Sequence, residues 1–129
     1  MKKNHFTIKA RLPSLNDYIN ACRTHWASGA KLKQETEELI VWSIRAAVNK
    51  GEAWPVERPA QIIFIWHEHG MRRDLDNIYS AKKYILDAMQ KAGIIKNDDR
   101  KHVTALYDAI TTAPPGGDMV EVVIMEAGA

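Results

Sequence analysis

From His5 to Arg11 the chain reads HFTIKAR, with Phe6, Ile8 and Ala10 alternating against Thr7 and Lys9. That period of two predicts a first, half-buried strand. The next stretch, LPSLNDYINACRTHWASG, is polar and carries Pro13, Ser14, Asn16, Asp17 and Asn20. These residues favour turns, so it reads as a long, functional loop. From Lys31 to Lys50 the apolar residues Leu32, Ile40, Ile44, Ala47 and Val48 share one helical stripe, leaving Glu35, Glu37, Glu38 and Arg45 wet, and Gly51 is a natural stop. Trp54-Pro55 and Pro59 mark a linking loop. Ala60 to His67 (AQIIFIWH) is continuously apolar at its centre, which predicts a strand buried on both faces.

A second helix starts at Asp74 or Asp76 as cap and runs to about Ala92, closed by Gly93. His102–Thr112 and Met119–Glu126 read as strands, and Pro114-Pro115-Gly116-Gly117-Asp118 between them predicts an antiparallel hairpin. The resulting order is β-α-β-α-β-β. It implies an α/β (α+β) fold, a small two-layer sandwich of two helices on a mixed sheet ending in a β-hairpin. One domain over residues 1–129 is expected from the length.

Composition changes this picture little: 46% hydrophobic and 26% charged residues are ordinary for a soluble domain. Neither a signal peptide nor a membrane-spanning stretch is read, and the lone Cys22 excludes an internal disulfide framework, so a cytoplasmic setting is expected. The net charge of +2 does not identify a nucleic-acid binder, but its distribution is informative. Basic pairs recur at Lys2-Lys3, Arg72-Arg73, Lys82-Lys83 and Arg100-Lys101, three of them beside acidic clusters. A metal nuclease needs that mixture: carboxylates hold cations at the scissile phosphate while Arg and Lys hold the flanking backbone.

The acids concentrate in Arg72-Arg73-Asp74-Leu75-Asp76-Asn77 and in the turn Asp98-Asp99. On a continuous helix, Ile78, Ala81, Ile85, Ala88, Met89 and Ala92 form an apolar arc. Asp76, Ser80, Lys83 and Asp87 lie opposite it, at roughly 140–200° from Ile78. Lys83, rather than Lys82, faces the acids. Asp98 and Asp99 follow the end of a helix about 25 Å long, so their approach to Asp76 requires the chain to fold back. Carboxylates of this kind select Mg²⁺ or Mn²⁺, and a nearby Lys adds charge to the transition state of phosphodiester hydrolysis. A D-x-D alone is unspecific; it also caps helices and binds metal in glycosyltransferases.

The stretch RRDLDNIYSAKKYILDAMQKAGIIKNDDRKHV resembles the signature region of the RusA family of Holliday junction resolvases. The likeness covers R-R-D-L-D-N, a K-x-x-x-D-A, the closing A-G and the acidic turn. The segment LPSLNDYINACR looks like that family's Pro/Asn-rich loop. The resemblance implies that Asp74, Asp76 and Asp98 are metal-binding carboxylates and Lys83 the catalytic lysine. It implies further a Mg²⁺-dependent endonuclease, with Mn²⁺ as substitute, acting as a homodimer that cuts four-way junction DNA by paired incision, in a phage or prophage setting. No small-molecule cofactor and no membrane partner are implied. Family members place the lysine four residues after the second Asp, where this chain has Ser80; Lys83 aligns instead through its spacing to Asp87 and Ala88. Asn16, Arg23, Arg72, Arg73, Lys82, Arg100 and Lys101 are the candidate DNA contacts. Asp87 is a candidate partner of Lys83, and Asp99 a spare ligand or a turn-shaping residue. The alternative is a junction-binding protein with impaired catalysis.

Other residues carry less. His67 and His69 are too few for a zinc site and serve more simply at a strand end. Cys22 and His25 have no spacing that defines a nucleophile and base. Trp42 and Trp66 fall in regular elements and are expected to pack, whereas Trp26, near Arg23, is the candidate for stacking on bases.

Overall fold

The computed structural model describes residues 2–128. In chain order the elements are β1 (Asn4–Ile8), α1 (Leu15–Thr24), α2 (Ser28–Asn49), β2 (Ala60–Glu68), α3 (Leu75–Tyr79), α4 (Lys82–Lys91), β3 (Val103–Thr112) and β4 (Met119–Glu126). The four strands form one mixed sheet in the order β1-β4-β2-β3, so the expected α+β sandwich is present. β4 runs antiparallel to both β1 and β2, and β3 runs parallel to β2. No described helix is long and apolar enough to cross a membrane.

The expected terminal hairpin does not form. β3 and β4 lie on opposite sides of β2, and the connection between them passes around the end of that strand. The wrap is held by bonds to the end of β2: Ala113 N–H donates to the Glu68 carbonyl at 3.1 Å, and the His69 N–H donates to Asp118 Oδ1 at 2.9 Å. Adjacent strands are about 4.8 Å apart. The segment from Ala113 to Asp118 is therefore long enough to step over one strand, which a tight two-residue turn is not. Val120, Val122 and Ile124 of β4 are thereby buried in the sheet's interior.

The long polar stretch is not a loop either; it contains α1. Ser14 and Asp17 make a capping box: Asp17 N–H donates to Ser14 Oγ (3.2 Å) and Ser14 N–H to Asp17 Oδ2 (2.9 Å). The Ser-x-x-Asp spacing is a helix-start signal that outweighs the turn preference of the same residues. In α2 the buried face includes Ile40, Ile44 and Ala47, but Val48 is exposed and Glu37 is only 2% exposed. Glu37 does not stay wet because α4 packs over it, and its carboxylate pairs with Lys91 and, at 3.9 Å, with Lys33. Trp66 packs as expected, donating from Nε1 to Asp108 at 2.9 Å, whereas Trp42 is 69% exposed on the outer side of α2.

β2 is not buried on both faces. Ala60, Ile62, Phe64, Trp66 and Glu68 are buried, while Ile63, Ile65 and His67 on the other face are half-exposed. The helices cover one face only, and the core is built between them and that face: Phe6, Ile62, Phe64 and Val122 meet Ile78, Ile85 and Met89.

The single helix expected from Asp74 to Ala92 is broken into α3 and α4 at Ser80-Ala81. Ser80 Oγ donates back to the Asn77 carbonyl at 2.6 Å and accepts the Leu15 N–H at 2.9 Å, tying the start of α1 to the break. A hydroxyl bonded to a carbonyl of the preceding turn bends a helix. The predicted apolar arc survives the break, since Ile78, Ala81, Ile85, Ala88 and Met89 are all buried. Gly93 ends α4 with φ +76°, and Ile94 N–H closes onto the Met89 carbonyl at 2.9 Å. Ile94 and Ile95 then bury themselves, turning the chain back along α4.

Candidate functional site

β2 carries the chain to its C-terminal end at Glu68, and a short turn through Gly70 (φ +78°) leads into Arg72-Arg73-Asp74. Arg73 is fixed there. Its Nε and Nη2 donate to the two oxygens of the buried Glu68 carboxylate at 2.6 and 2.8 Å, and its Nη1 to the Leu12 carbonyl at 3.0 Å. Such a two-pronged pair has strong directional preference, and it ties the turn to the end of β2 and to the chain after β1. All three guanidinium nitrogens are thus committed within the protein. Arg72 beside it is exposed and remains the arginine that faces solvent.

Asp74 occupies the N-cap position of α3 with extended backbone (φ −70°, ψ 154°), yet its side chain makes no capping bond. Asp76 lies in the first turn of the same helix. Both are exposed, and neither carboxylate has a hydrogen bond or ion pair among the described residues. Both carboxylates are therefore open to solvent and to a ligand from outside.

The other acids are placed differently. Folding back after Gly93 brings Asp98 to Lys83: Nζ donates to Asp98 Oδ2 at 3.1 Å and also pairs with Asp87 Oδ1 at 3.0 Å. These two partners, Asp87 foremost and Asp98 next, hold the Lys83 ammonium above the ordinary lysine range. The side chain is largely exposed, so these pairs contribute little to stability, typically about 0.2–1 kcal/mol each. They fix where the charge sits. Asp87 is itself shared with Lys33 of α2 at 3.9 Å.

Asp99 is directed inward to its own turn. One of its oxygens accepts from Lys101 N–H (3.2 Å), His102 N–H (3.1 Å) and His102 Nδ1 (2.6 Å), and the imidazole bond holds its carboxyl below the ordinary range. The turn-shaping role is the one its contacts describe. Asn97 Oδ1 supports the same turn by accepting the N–H groups of Asp98 and Asp99.

Of the candidate DNA contacts, Asn16, Arg23, Arg72, Arg100 and Lys101 are exposed. Lys82 is not free: its ammonium pairs with Asp108 of β3 and lies over the Tyr79 ring, 5.5 Å from the centroid. Glu68 and Asp108, which anchor Arg73 and Lys82, were not singled out by sequence reasoning. Their signal is faint, an acid at an inward-facing strand position; Asp108 becomes inward-facing only once β3 is paired with β2.

The structure therefore brings together Lys83, Asp87 and Asp98, and separately presents Asp74 and Asp76. Among the described residues no three His, Cys, Asp or Glu side chains are gathered into a ready metal-holding group. The donor chemistry of Asp74 and Asp76 still fits a hard divalent cation, because Mg²⁺ keeps several waters and takes only one or two carboxylates. Comparison with known families and with curated proteins finds no match to the chain.

Proposed function

We propose that the chain is a divalent-metal-dependent DNA endonuclease that cuts four-way junctions by phosphodiester hydrolysis. The observation that carries this reading is the pair of exposed, unpartnered carboxylates Asp74 and Asp76 at the strand-to-helix turn, beside the exposed Arg72. The likeness of this region to the RusA signature supplies the substrate class.

Asp74 and Asp76 are the residues that would hold Mg²⁺, with Mn²⁺ as substitute. When bound, the cation supplies positive charge to the phosphoryl and leaving oxygens. Lysine is protonated at neutral pH, and Asp87 and Asp98 favour that form of Lys83 further, so its contribution is charge rather than proton acceptance. Arg72 neutralises flanking phosphate. Asp98 contributes by holding Lys83, and the part the resemblance gives it as a third metal ligand is not supported by a gathered set of three carboxylates among the described residues. Asp87 keeps Lys83 in place when Asp98 is otherwise engaged. Ser80, which stands where the family's lysine falls, is occupied in holding α1 and takes no chemical role.

Paired incision needs two sites, and a second copy of the chain supplies the other. β3, the edge strand beside β2, has a sequence (VTALYDAITT) without Lys, Arg or Pro to discourage strand pairing.

The test is incubation of the purified protein with a mobile four-way junction in Mg²⁺, with linear duplex and flap DNA as controls. The expected result is symmetric nicking of the junction alone. Tight junction binding without cutting in Mg²⁺ or Mn²⁺ would replace this reading with that of a junction-binding protein. No binding and no cutting would end it.

A further inference from the structure

The 22-residue helix α2 buries Ile40, Ile44 and Ala47 in the core and carries Trp42 on its opposite side. Trp42 is 69% exposed, and Leu39 beside it is 45% exposed. At about 3.6 residues per turn, Glu38, Leu39, Arg45 and Ala46 all fall within roughly 60° of Trp42 around the helix. All four are exposed. Glu38 and Arg45 lie on one side of the Trp42 line, and Leu39 and Ala46 on the other. Along the axis, Glu38 and Leu39 precede Trp42 by about 5–6 Å, and Arg45 and Ala46 follow it by about as much.

That arrangement is self-complementary. When α2 is laid antiparallel on a second copy of itself, with a two-fold axis at Trp42, the sides are kept and the order along the helix is reversed. Glu38 then faces Arg45 of the second copy, and by symmetry this pair occurs twice. Leu39 faces the small Ala46 of the second copy, and the two Trp42 side chains meet at the centre. Within one chain the two charges are uncommitted: Glu38 has only the Gln34 amide, at 3.3 Å, and Arg45 has no ion pair among the described residues. DNA fits this face poorly, because Glu35 and Glu38 repel phosphate. An acidic or a basic protein partner answers only one of the two signs. Tryptophan at the centre with arginine at its side is the composition of an interface centre. The edge of β3 offers no such selection, since its one charge, Asp108, is taken inward by Lys82.

We infer that the outer face of α2 is where a second copy of this chain docks, antiparallel and about a two-fold axis at Trp42. This contact goes beyond the nuclease reading, which calls for a second copy without placing it. The two Trp42 rings and Leu39 supply the apolar area at the centre. The two Glu38–Arg45 pairs fix the direction, because a parallel pairing would set Glu38 against Glu38 and Arg45 against Arg45.

The experiment measures the mass of the full chain by sedimentation velocity over a concentration series, without DNA or metal. The expected result for the unsubstituted chain is a dimer that dissociates on dilution. Trp42→Ala should raise the dissociation constant about a hundredfold or more, the loss of two central aromatic anchors. Glu38→Lys and Arg45→Glu, each alone, should raise it at least about tenfold by setting like charges together. Mixing these two variants should restore the dimer, because the mixed pair regains both opposite-charge contacts. The two substitutions made in one chain should restore it as well. All three side chains are exposed, so the fold tolerates the changes; an unchanged far-ultraviolet circular dichroism spectrum verifies this. A monomer throughout the series, a dimer that withstands Trp42→Ala, or charge variants that mixing does not rescue overturns the inference. So does a dimer broken by Tyr107→Lys in β3 and not by the α2 variants. Each of these results leaves the nuclease reading standing, and failure to cut a four-way junction leaves this contact standing.

Discussion

The two acidic regions of this molecule have the same residue type and opposite surroundings. Around Asp98 and Asp99 the carboxylates are matched: Asp98 and Asp87 hold Lys83, and Asp99 holds His102 and two backbone N–H groups. Around Asp74 and Asp76 nothing in the described chain answers the charge. The matched region organises the protein. The unmatched one is where the proposed cation, and with it the phosphate of the proposed substrate, would be held. The difference assigns roles that composition alone does not.

Breaking the unmatched pair should have the largest effect. Asp74→Asn or Asp76→Asn is expected to lower junction cleavage on the order of 10²–10³-fold or more, with junction binding retained in a gel shift. Lys83→Met comes next, at about tenfold to a hundredfold, and Asp87→Asn should do less because Asp98 still holds the lysine. Single-turnover rates at saturating protein separate these from binding defects.

The sign of the pH dependence sharpens the same contrast. Lys83 is raised above the ordinary value of 10.5, so its ion pairs are complete below that pH and are lost only as pH climbs through the raised value. A cleavage profile should therefore show no falling limb from this lysine between about pH 7 and pH 10. A loss of rate in that range that disappears in Lys83→Arg would contradict the role as a fixed charge.

Smaller effects belong to the turn that returns Asp98. Gly93→Ala meets open space but requires a side chain at φ +76°, so it should cost about 1 kcal/mol in thermal unfolding and slow cleavage only modestly. Asp99→Asn should be the mildest, because an amide oxygen can still accept the Lys101 and His102 N–H bonds. Its carboxyl is lowered from 3.8, so the stabilisation it gives is present above that pH and is lost as pH falls through the lowered value. Acid unfolding of this variant should accordingly lack part of the wild-type loss of stability below about pH 4.

Much of this was legible in the sequence where local chemistry and tertiary structure agree. The apolar arc from Ile78 to Met89, the glycine stop at Gly93 and the strand alternation of Phe6 and Ile8 all appear as read. The misread parts share one cause, that a distant contact decided a locally ambiguous segment. Ser14 to Asp17 satisfies turn and helix-cap chemistry alike, and the cap prevails once α1 docks on α2. Pro114 to Asp118 signals a turn, but the bonds of Ala113 and Asp118 to the end of β2 make it a crossover. In the site, the pairing of Lys83 with Asp87 is the i,i+4 spacing of α4, whereas its place on the face of Asp76 is read from a continuous helix that the structure breaks at Ser80-Ala81. Its meeting with Asp98 follows from neither, because that depends on Ile94 and Ile95 burying themselves beyond Gly93. Arg73 looked equivalent to Arg72, and only the inward Glu68 distinguishes them.

The most direct measurement is a Mn²⁺ titration followed by electron paramagnetic resonance, on the chain bound to an uncleavable four-way junction. It compares wild type with Asp74→Asn, Asp76→Asn and Asp99→Asn. The account predicts saturable Mn²⁺ binding that is lost or strongly weakened in the first two variants and kept in Asp99→Asn. Binding that survives both Asp74→Asn and Asp76→Asn, or that is lost only in Asp99→Asn, would contradict the assignment of the unmatched carboxylates as the cation site.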